Sequence, residues 1–262
     1  MSNRTYSNII VETGDVRVTR VTINRPAVLN AMNYAALEEL KEALLEIDKD
    51  PDVRVLVITG SGDKSFVVGA DLKEMQSSGG EPERAEAFEA LGRQTLNLID
   101  GLGKPSICAV NGYALGLGLQ LALACTFRIA SSKAKFGLPE INMGFLPVLG
   151  ATQRLTRLVG EAKAAEMILV GDCIDAAEAF RIGLVNMVLP EAQFMAFIDR
   201  FTERLAEKEP MAIRLAMAAI KKEKGTSLKD GLSYEAELSK SLREEARCLK
   251  TRSVGDKDGT EI

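Results

Sequence analysis

The chain has no histidine among its 262 residues. That absence removes the commonest general base and the commonest metal ligand, so proton transfer must fall to carboxylates, lysine, tyrosine or cysteine. The four cysteines, Cys108, Cys125, Cys173 and Cys248, are far apart and include no CxxC pair. Neither a disulfide framework nor a zinc site is indicated, and no metal is expected. No apolar run is long enough to span a bilayer, and Met1-Ser-Asn-Arg-Thr-Tyr6 lacks the apolar stretch of a signal peptide. A basic excess is missing too: 33 Lys and Arg stand against 37 Asp and Glu, a net charge of -4. Such a chain offers no field of the kind that nonspecific nucleic-acid binding needs. Its densest basic run, Lys221-Lys222-Glu223-Lys224, reads as the solvated end of a helix. The expectation is a soluble, cytoplasmic protein with no nucleic-acid or membrane partner.

What is present is enough apolar sequence, 46%, to bury one large core, or one core plus an appended element. Strand patterns come early, over 8–13 and 16–23, where Val16, Val18, Val21 and Ile23 stand among polar residues. Residues 34–48 follow with Leu37, Leu40, Ala43, Leu44 and Ile47 at helical spacing, and 53–59 reads as a fully buried strand. The alternation continues with a helix near 83–99, a strand at 106–110, a helix near 117–125 and a short strand at 127–130. It predicts a mainly parallel sheet with helices packed against it. Short helices at 160–171 and 175–182 precede a last strand at 186–189. From Glu191 on, strand signals vanish, and 191–208, 210–224 and 227–249 read as helices. The division drawn is a core over 1–190 and a helical part over 191–262.

Two glycine-bearing turns carry the chemistry. Gly69-Ala70-Asp71 follows an apolar run, and Gly112-Tyr-Ala-Leu-Gly-Leu-Gly118 lies between a buried strand and a helix start. Each can aim backbone N–H groups into a cavity, the second at the positive end of a helix dipole. Two such amides can hold an oxyanion. Either turn alone is more simply a tight turn, and no Gly-Lys-Ser/Thr follows to make a phosphate loop. Glu140 sits in the apolar run Phe136-Gly-Leu-Pro-Glu-Ile-Asn-Met143. Buried there it would have a raised pKa suited to acid/base work; the plainer alternative is an ion pair with Arg154 or Arg157.

Taken together, Asn24-Arg-Pro-x-x-x-Asn30-Ala, Phe66-x-x-Gly-Ala-Asp-Leu-Lys-Glu-Met75, Lys104-Pro-x-x-x-x-Val-Asn-Gly-Tyr-Ala-Leu-Gly116, Ala134-Lys-Phe-Gly-x-Pro-Glu140 and Thr152-Gln-Arg-Leu155 resemble the crotonase superfamily of enoyl-CoA hydratases and isomerases. The blocks occur in the family's order over roughly residues 8 to 250. The resemblance implies an α/β fold, a spiral of ββα turns with a helical C-terminal trimerisation part, and a homotrimer or homohexamer. It implies an acyl-CoA substrate and no separate cofactor, coenzyme A being part of the substrate. By the same resemblance the oxyanion donors fall on Ala70 and Leu117, and the proton-exchanging glutamate on Glu140. Coenzyme A and substrate contacts fall on Val28, Leu29, Lys64, Val68, Asp71, Leu72, Lys73 and Val148.

The chain departs from the family in the same region. Gln120 takes the place of the second glutamate, and an amide can position a water but cannot take its proton. Leu117 and Leu119 stand where Gly and a small residue are usual, and Val148 replaces a glycine in Gly144-Phe-Leu-Pro-Val-Leu-Gly-Ala151. A drier, more filled pocket is expected. A family lysine is Ala27 here, and a closing Phe and Lys have no match in Asp258-Gly-Thr-Glu-Ile262. Three readings stay open. The preferred one is an enoyl-CoA hydratase using Glu140 alone, with Gln120 orienting water. The second is a 3-enoyl-CoA to 2-enoyl-CoA isomerase, also with Glu140 alone. The third is a weakly catalytic acyl-CoA-binding protein.

Overall fold

The computed structural model describes residues 5–14, 17–73, 82–223 and 225–255. Val16, Glu74, Met75, Lys224 and the closing 256–262 therefore lie outside the described residues.

A six-stranded sheet has the order β1-β2-β3-β5-β7-β10, formed by β1 (Ile9–Thr13), β2 (Val18–Ile23), β3 (Val55–Gly60), β5 (Ser106–Val110), β7 (Phe127–Ser131) and β10 (Met187–Leu189). Only β1 runs antiparallel, paired with β2 from Ile9↔Ile23 to Thr13↔Thr19. The central strands read as unbroken apolar runs because both faces are covered, as parallel strands require. Val55 and Val57 of β3, with Ile107 and Ala109 of β5, face one core, whereas Leu56, Ile58, Cys108 and Val110 face the other.

Helix α1 (Tyr34–Lys49) packs on the second of these faces through Ala36, Leu37, Leu40, Ala43, Leu44 and Ile47, all buried. Asn33 caps it, its side-chain oxygen accepting from Ala36 N at 2.9 Å. At the other end Lys104 Nζ donates to the carbonyls of Ile47 and Asp50, so the lysine of the Lys104-Pro block closes a helix C-terminus. Helix α2 (Pro82–Gly101) lies alongside, and α3 (Leu117–Ala124) is buried along its whole length.

A second, four-stranded sheet, which the periodicity did not mark, supplies the other strand of the ββα turns that the resemblance implied. Its order is β4-β6-β8-β9, from β4 (Ser65–Val67), β6 (Tyr113–Leu115), β8 (Lys135–Gly137) and β9 (Ile174–Asp175). Each of β3, β5 and β7 is thus followed by a short strand of this sheet, and two of those short strands lead on to α2 and α3, which gives the repeating ββα turn. Helices α4 (Ala151–Val159), α5 (Glu161–Leu169) and α6 (Ala176–Arg181) complete this part.

Helix α7 (Glu191–Ala206) buries Phe194 and Ile198 against the outer face of the large sheet. The first compact unit consequently runs to Ala206 rather than to residue 190, and the second covers 207–262. Residue 191 marks where strands end, not where the sheet's packing ends. Within the second unit, Glu209 caps α8 (Pro210–Lys222) by accepting from Ala212 N at 2.7 Å, and α9 (Leu228–Gly255) packs along it.

Candidate active site

The small sheet decides where the candidate residues go. Strands β4, β6 and β8 run parallel in the pairings Val67↔Ala114, Ala114↔Phe136 and Leu115↔Gly137. Ala70, Leu117 and Glu140 each follow the carboxyl end of one of them by two or three residues. Three segments far apart in sequence are thereby delivered to one edge, the place where parallel sheets present ligand-binding groups.

The backbone around Ala70 is held by a single parallel bridge to Met32. Met32 N donates to Gly69 O and Asp71 N donates to Met32 O, each at 2.9 Å. In a parallel pairing the intervening residue turns its own N–H to the opposite side, so that of Ala70 points away from Met32. Leu117 supplies the first N–H of α3, which has no carbonyl partner within its helix because the helical bonding starts with Gln120 N to Gly116 O at 3.0 Å. Gly116 makes the turn at φ 51°, and a Cβ placed there would lie 3.3 Å from Glu140 Oε1 and 3.6 Å from Gly69 Cα. Both amide-bearing turns and the glutamate are therefore immediate neighbours.

Gly118 sets the spacing between the turns. A Cβ on it would lie 2.0 Å from Val67 O and 2.8 Å from Val67 C, which no real contact tolerates. Gly118→Ala must push α3 off β4, and a stability loss of about 1–3 kcal/mol is expected. Urea unfolding checks it; an unchanged midpoint would mean the helix and strand separate freely.

Gln120 is 3% exposed. Its Nε2 donates to Glu140 Oε1 at 2.8 Å. Neither arginine that could have paired with Glu140 does so: Arg154 donates to Leu149 O and Asn97 Oδ1, and Arg157 to the Gln153 carbonyl and side chain. Burial pushes the Glu140 carboxyl above the usual carboxylate range, while a backbone hydrogen bond and the Gln120 amide pull it partly back. Two acceptors in this pair, Glu140 Oε2 and Gln120 Oε1, are buried and have no hydrogen-bond partner.

The remaining candidates fall into two groups. Val28, Leu29 and Leu72 are large apolar side chains left about 40% exposed, and Lys64 and Lys73 are exposed, Lys73 directly after Leu72. Asp71 itself is buried, its carboxylate bound to Arg25 at 3.0 Å. Val68 is half-buried, and Val148 packs against the main core. Leu117 and Leu119 bury their side chains in that core as well. Arg25 and Asn30, quoted above only as parts of a motif, turn out to organise the Ala70 segment; their presence in the Asn24-Arg-Pro-x-x-x-Asn30 block was the available signal. Among the described residues no group of three or more His, Cys, Asp or Glu could hold a metal ion, and no helix is long and apolar enough to cross a membrane.

A glutamate beside two convergent backbone amides can shuttle a proton at a thioester enolate held by those amides. Known proteins agree with that chemistry. The family model described as enoyl-CoA hydratase/isomerase matches residues 14–253. A crotonyl-CoA hydratase of Syntrophomonas wolfei is 44% identical over 232 residues, 88% of each chain. A short-chain-enoyl-CoA hydratase of Clostridium acetobutylicum is 40% identical, covering 88% of this chain and 87% of that one. The crystal structure of an enoyl-CoA hydratase from Bacillus anthracis superposes with a TM-score of 0.89 at 35% identity over 98% of both chains. With the family model spanning most of its length and relatives this similar across nearly all of it, the chain belongs to the enoyl-CoA hydratase/isomerase family.

Proposed function

We propose that this protein is an enoyl-CoA hydratase that adds water reversibly across the C2–C3 double bond of a 2-enoyl-CoA, with Glu140 as its only acid/base. The observation that carries the reading is the pair of buried, unpartnered acceptors, Glu140 Oε2 and Gln120 Oε1. These acceptors lie on two side chains already hydrogen-bonded to each other, and water, which donates twice, is the small molecule suited to serve both. Donating one hydrogen to each, it keeps a lone pair for C3 of the substrate. The Glu140 carboxylate takes the water's proton as the C–O bond forms, and the C2–C3 π electrons move into the thioester. The N–H groups of Ala70 and Leu117 then oppose the charge that develops on the thioester oxygen. Glu140, now protonated, returns that proton to C2, so a water is consumed and no other acid is needed. The names of the relatives, hydratases of crotonyl-CoA and short-chain enoyl-CoA, support the same reaction class.

Val28, Leu29 and Leu72 with Lys64 and Lys73 form the rim assigned to coenzyme A in this reading: apolar surface for adenosine and pantetheine, ammonium groups for phosphates. Self-association into a trimer or hexamer belongs to it as well. Helix α8 buries none of its residues in the isolated chain, and Ile220 and Leu228 are more than 70% exposed.

One assay separates the reactions. Purified protein is followed with a short 2-enoyl-CoA and with a 3-enoyl-CoA, and its sedimentation is measured in the same buffer. Loss of the conjugated thioester absorbance with the first substrate is expected. Appearance of that absorbance with the second, without loss in the first, would make the enzyme an isomerase. Tight binding with neither change would leave an acyl-CoA-binding protein, and a mass of one chain would remove the oligomer.

A further inference from the structure

Two backbone hydrogen bonds, those of the Met32 bridge, join the Ala70 segment to the chain around Met32. Arg25 brackets that bridge. One guanidinium nitrogen, Nη1, donates to Ala31 O on the first strand, and Nη2 pairs with Asp71 Oδ2 at 3.0 Å on the second. The residue just before Met32 and the residue just after Ala70 are thus held by one planar, rigid group. Both side chains are largely withdrawn from solvent, 15% and 11% exposed, so the pair is weakly screened.

Arg25 is itself fixed from below. Its backbone N–H donates to Asn30 Oδ1 at 3.0 Å and its carbonyl accepts from Asn30 N at 2.9 Å. Asn30 is fully buried, sits at φ 60° after Leu29 at φ 55°, and donates through Nδ2 to Ser61 O and Ser65 O. Consecutive left-handed residues without glycine persist only where surrounding bonds over-determine them. The chain of contacts runs from β4, which carries the Ala70 turn, through Asn30 and Arg25 and back to Asp71.

We propose that Arg25, acting through Asp71 and Ala31 O, is a positioning residue that sets the direction of the Ala70 N–H toward the thioester oxygen. This deepens the hydratase reading and rests on its oxyanion hole. It also gives Asp71 a purpose distinct from coenzyme A contact: its carboxylate is a strut of the hole.

The test uses full-length Arg25→Lys, which keeps the charge but cannot span both partners, and the double variant Arg25→Met with Asp71→Asn, which removes the buried charge from both sides. Each is read with an aminocinnamoyl-CoA, whose absorbance shifts to the red when its carbonyl is polarised, and by kcat and KM with a 2-enoyl-CoA. The wild type should show the shift; both variants should lose most of it, with kcat down roughly tenfold or more and KM within about threefold. A raised KM with kcat and red shift intact would overturn the proposal and return Asp71 to coenzyme A binding. If the double variant does not fold, Arg25→Lys decides alone, and a full red shift there overturns the proposal. A wild type that shifts the chromophore but hydrates nothing would sink the hydratase reading while leaving this one standing.

Discussion

Glu140→Gln is expected to lower hydration of a 2-enoyl-CoA by roughly 10²–10⁴-fold, the span that a positioned general acid/base contributes. Acyl-CoA affinity should be retained, because the substitution preserves shape and leaves an amide oxygen to accept from Gln120 Nε2 as Glu140 Oε1 does now. The same variant should be more stable than the wild type, and only in part of the pH range. Burial raises the Glu140 carboxyl above its unfolded value, so the folded state holds the proton more tightly than the unfolded one. Below the range where an unfolded glutamate ionises, both states are neutral and nothing is lost. As pH rises through the unfolded and then the raised folded value, ionising Glu140 in the fold costs more than in the open chain, and wild-type stability falls. Thermal unfolding of Glu140→Gln should therefore exceed the wild type at pH 8 and match it in acid. Wild-type hydration should rise with pH through a single ionisation, since Gln120 cannot titrate. Full activity in the variant would remove Glu140 from the mechanism. A stability gain that is equal at both pH values would show that the cost is not ionisation.

Periodicity made the large sheet and the helices legible. The Val55–Gly60 run has no polar face to mistake, and α1 repeats its buried residues at helical spacing through Ile47. The small sheet was not legible because β4, β6 and β8 have three residues each, too few to show alternation, and two of them fall inside glycine-bearing motifs. Its existence is a matter of pairing between segments tens of residues apart, which no local pattern records. The site shares that fate. Nothing local says that Ala70, Leu117 and Glu140 converge; the motifs supplied the residues, and the register of three short strands supplies the place. The register between β4 and β6 also shifts between Ser65 and Val67, at the buried Phe66.

Gln120→Glu addresses the missing carboxylate directly, because it restores the second acid of a two-glutamate site. Wild-type Gln120 donates to Glu140 Oε1 at 2.8 Å. Two carboxylates at that separation cannot both ionise in a buried setting; they share one proton and titrate as a pair. The shared state is the useful one, since one member can accept the water's proton while the other already holds a proton to deliver to C2. Hydration by Gln120→Glu is expected to rise by up to about 10²-fold near the middle of its range, the lower end of what an added acid/base supplies. Its single-limbed pH profile should become bell-shaped. Gln120→Leu serves as the contrast. It removes the Nε2–H bond that now favours the ionised carboxylate and the Oε1 acceptor together, so it should weaken hydration and move the remaining ionisation upward. If Gln120→Glu gains no activity while Gln120→Leu loses it, the amide is already an adequate water anchor and the second carboxylate is dispensable here. If neither variant changes hydration, Gln120 does not hold the catalytic water, and Glu140 both positions and deprotonates it.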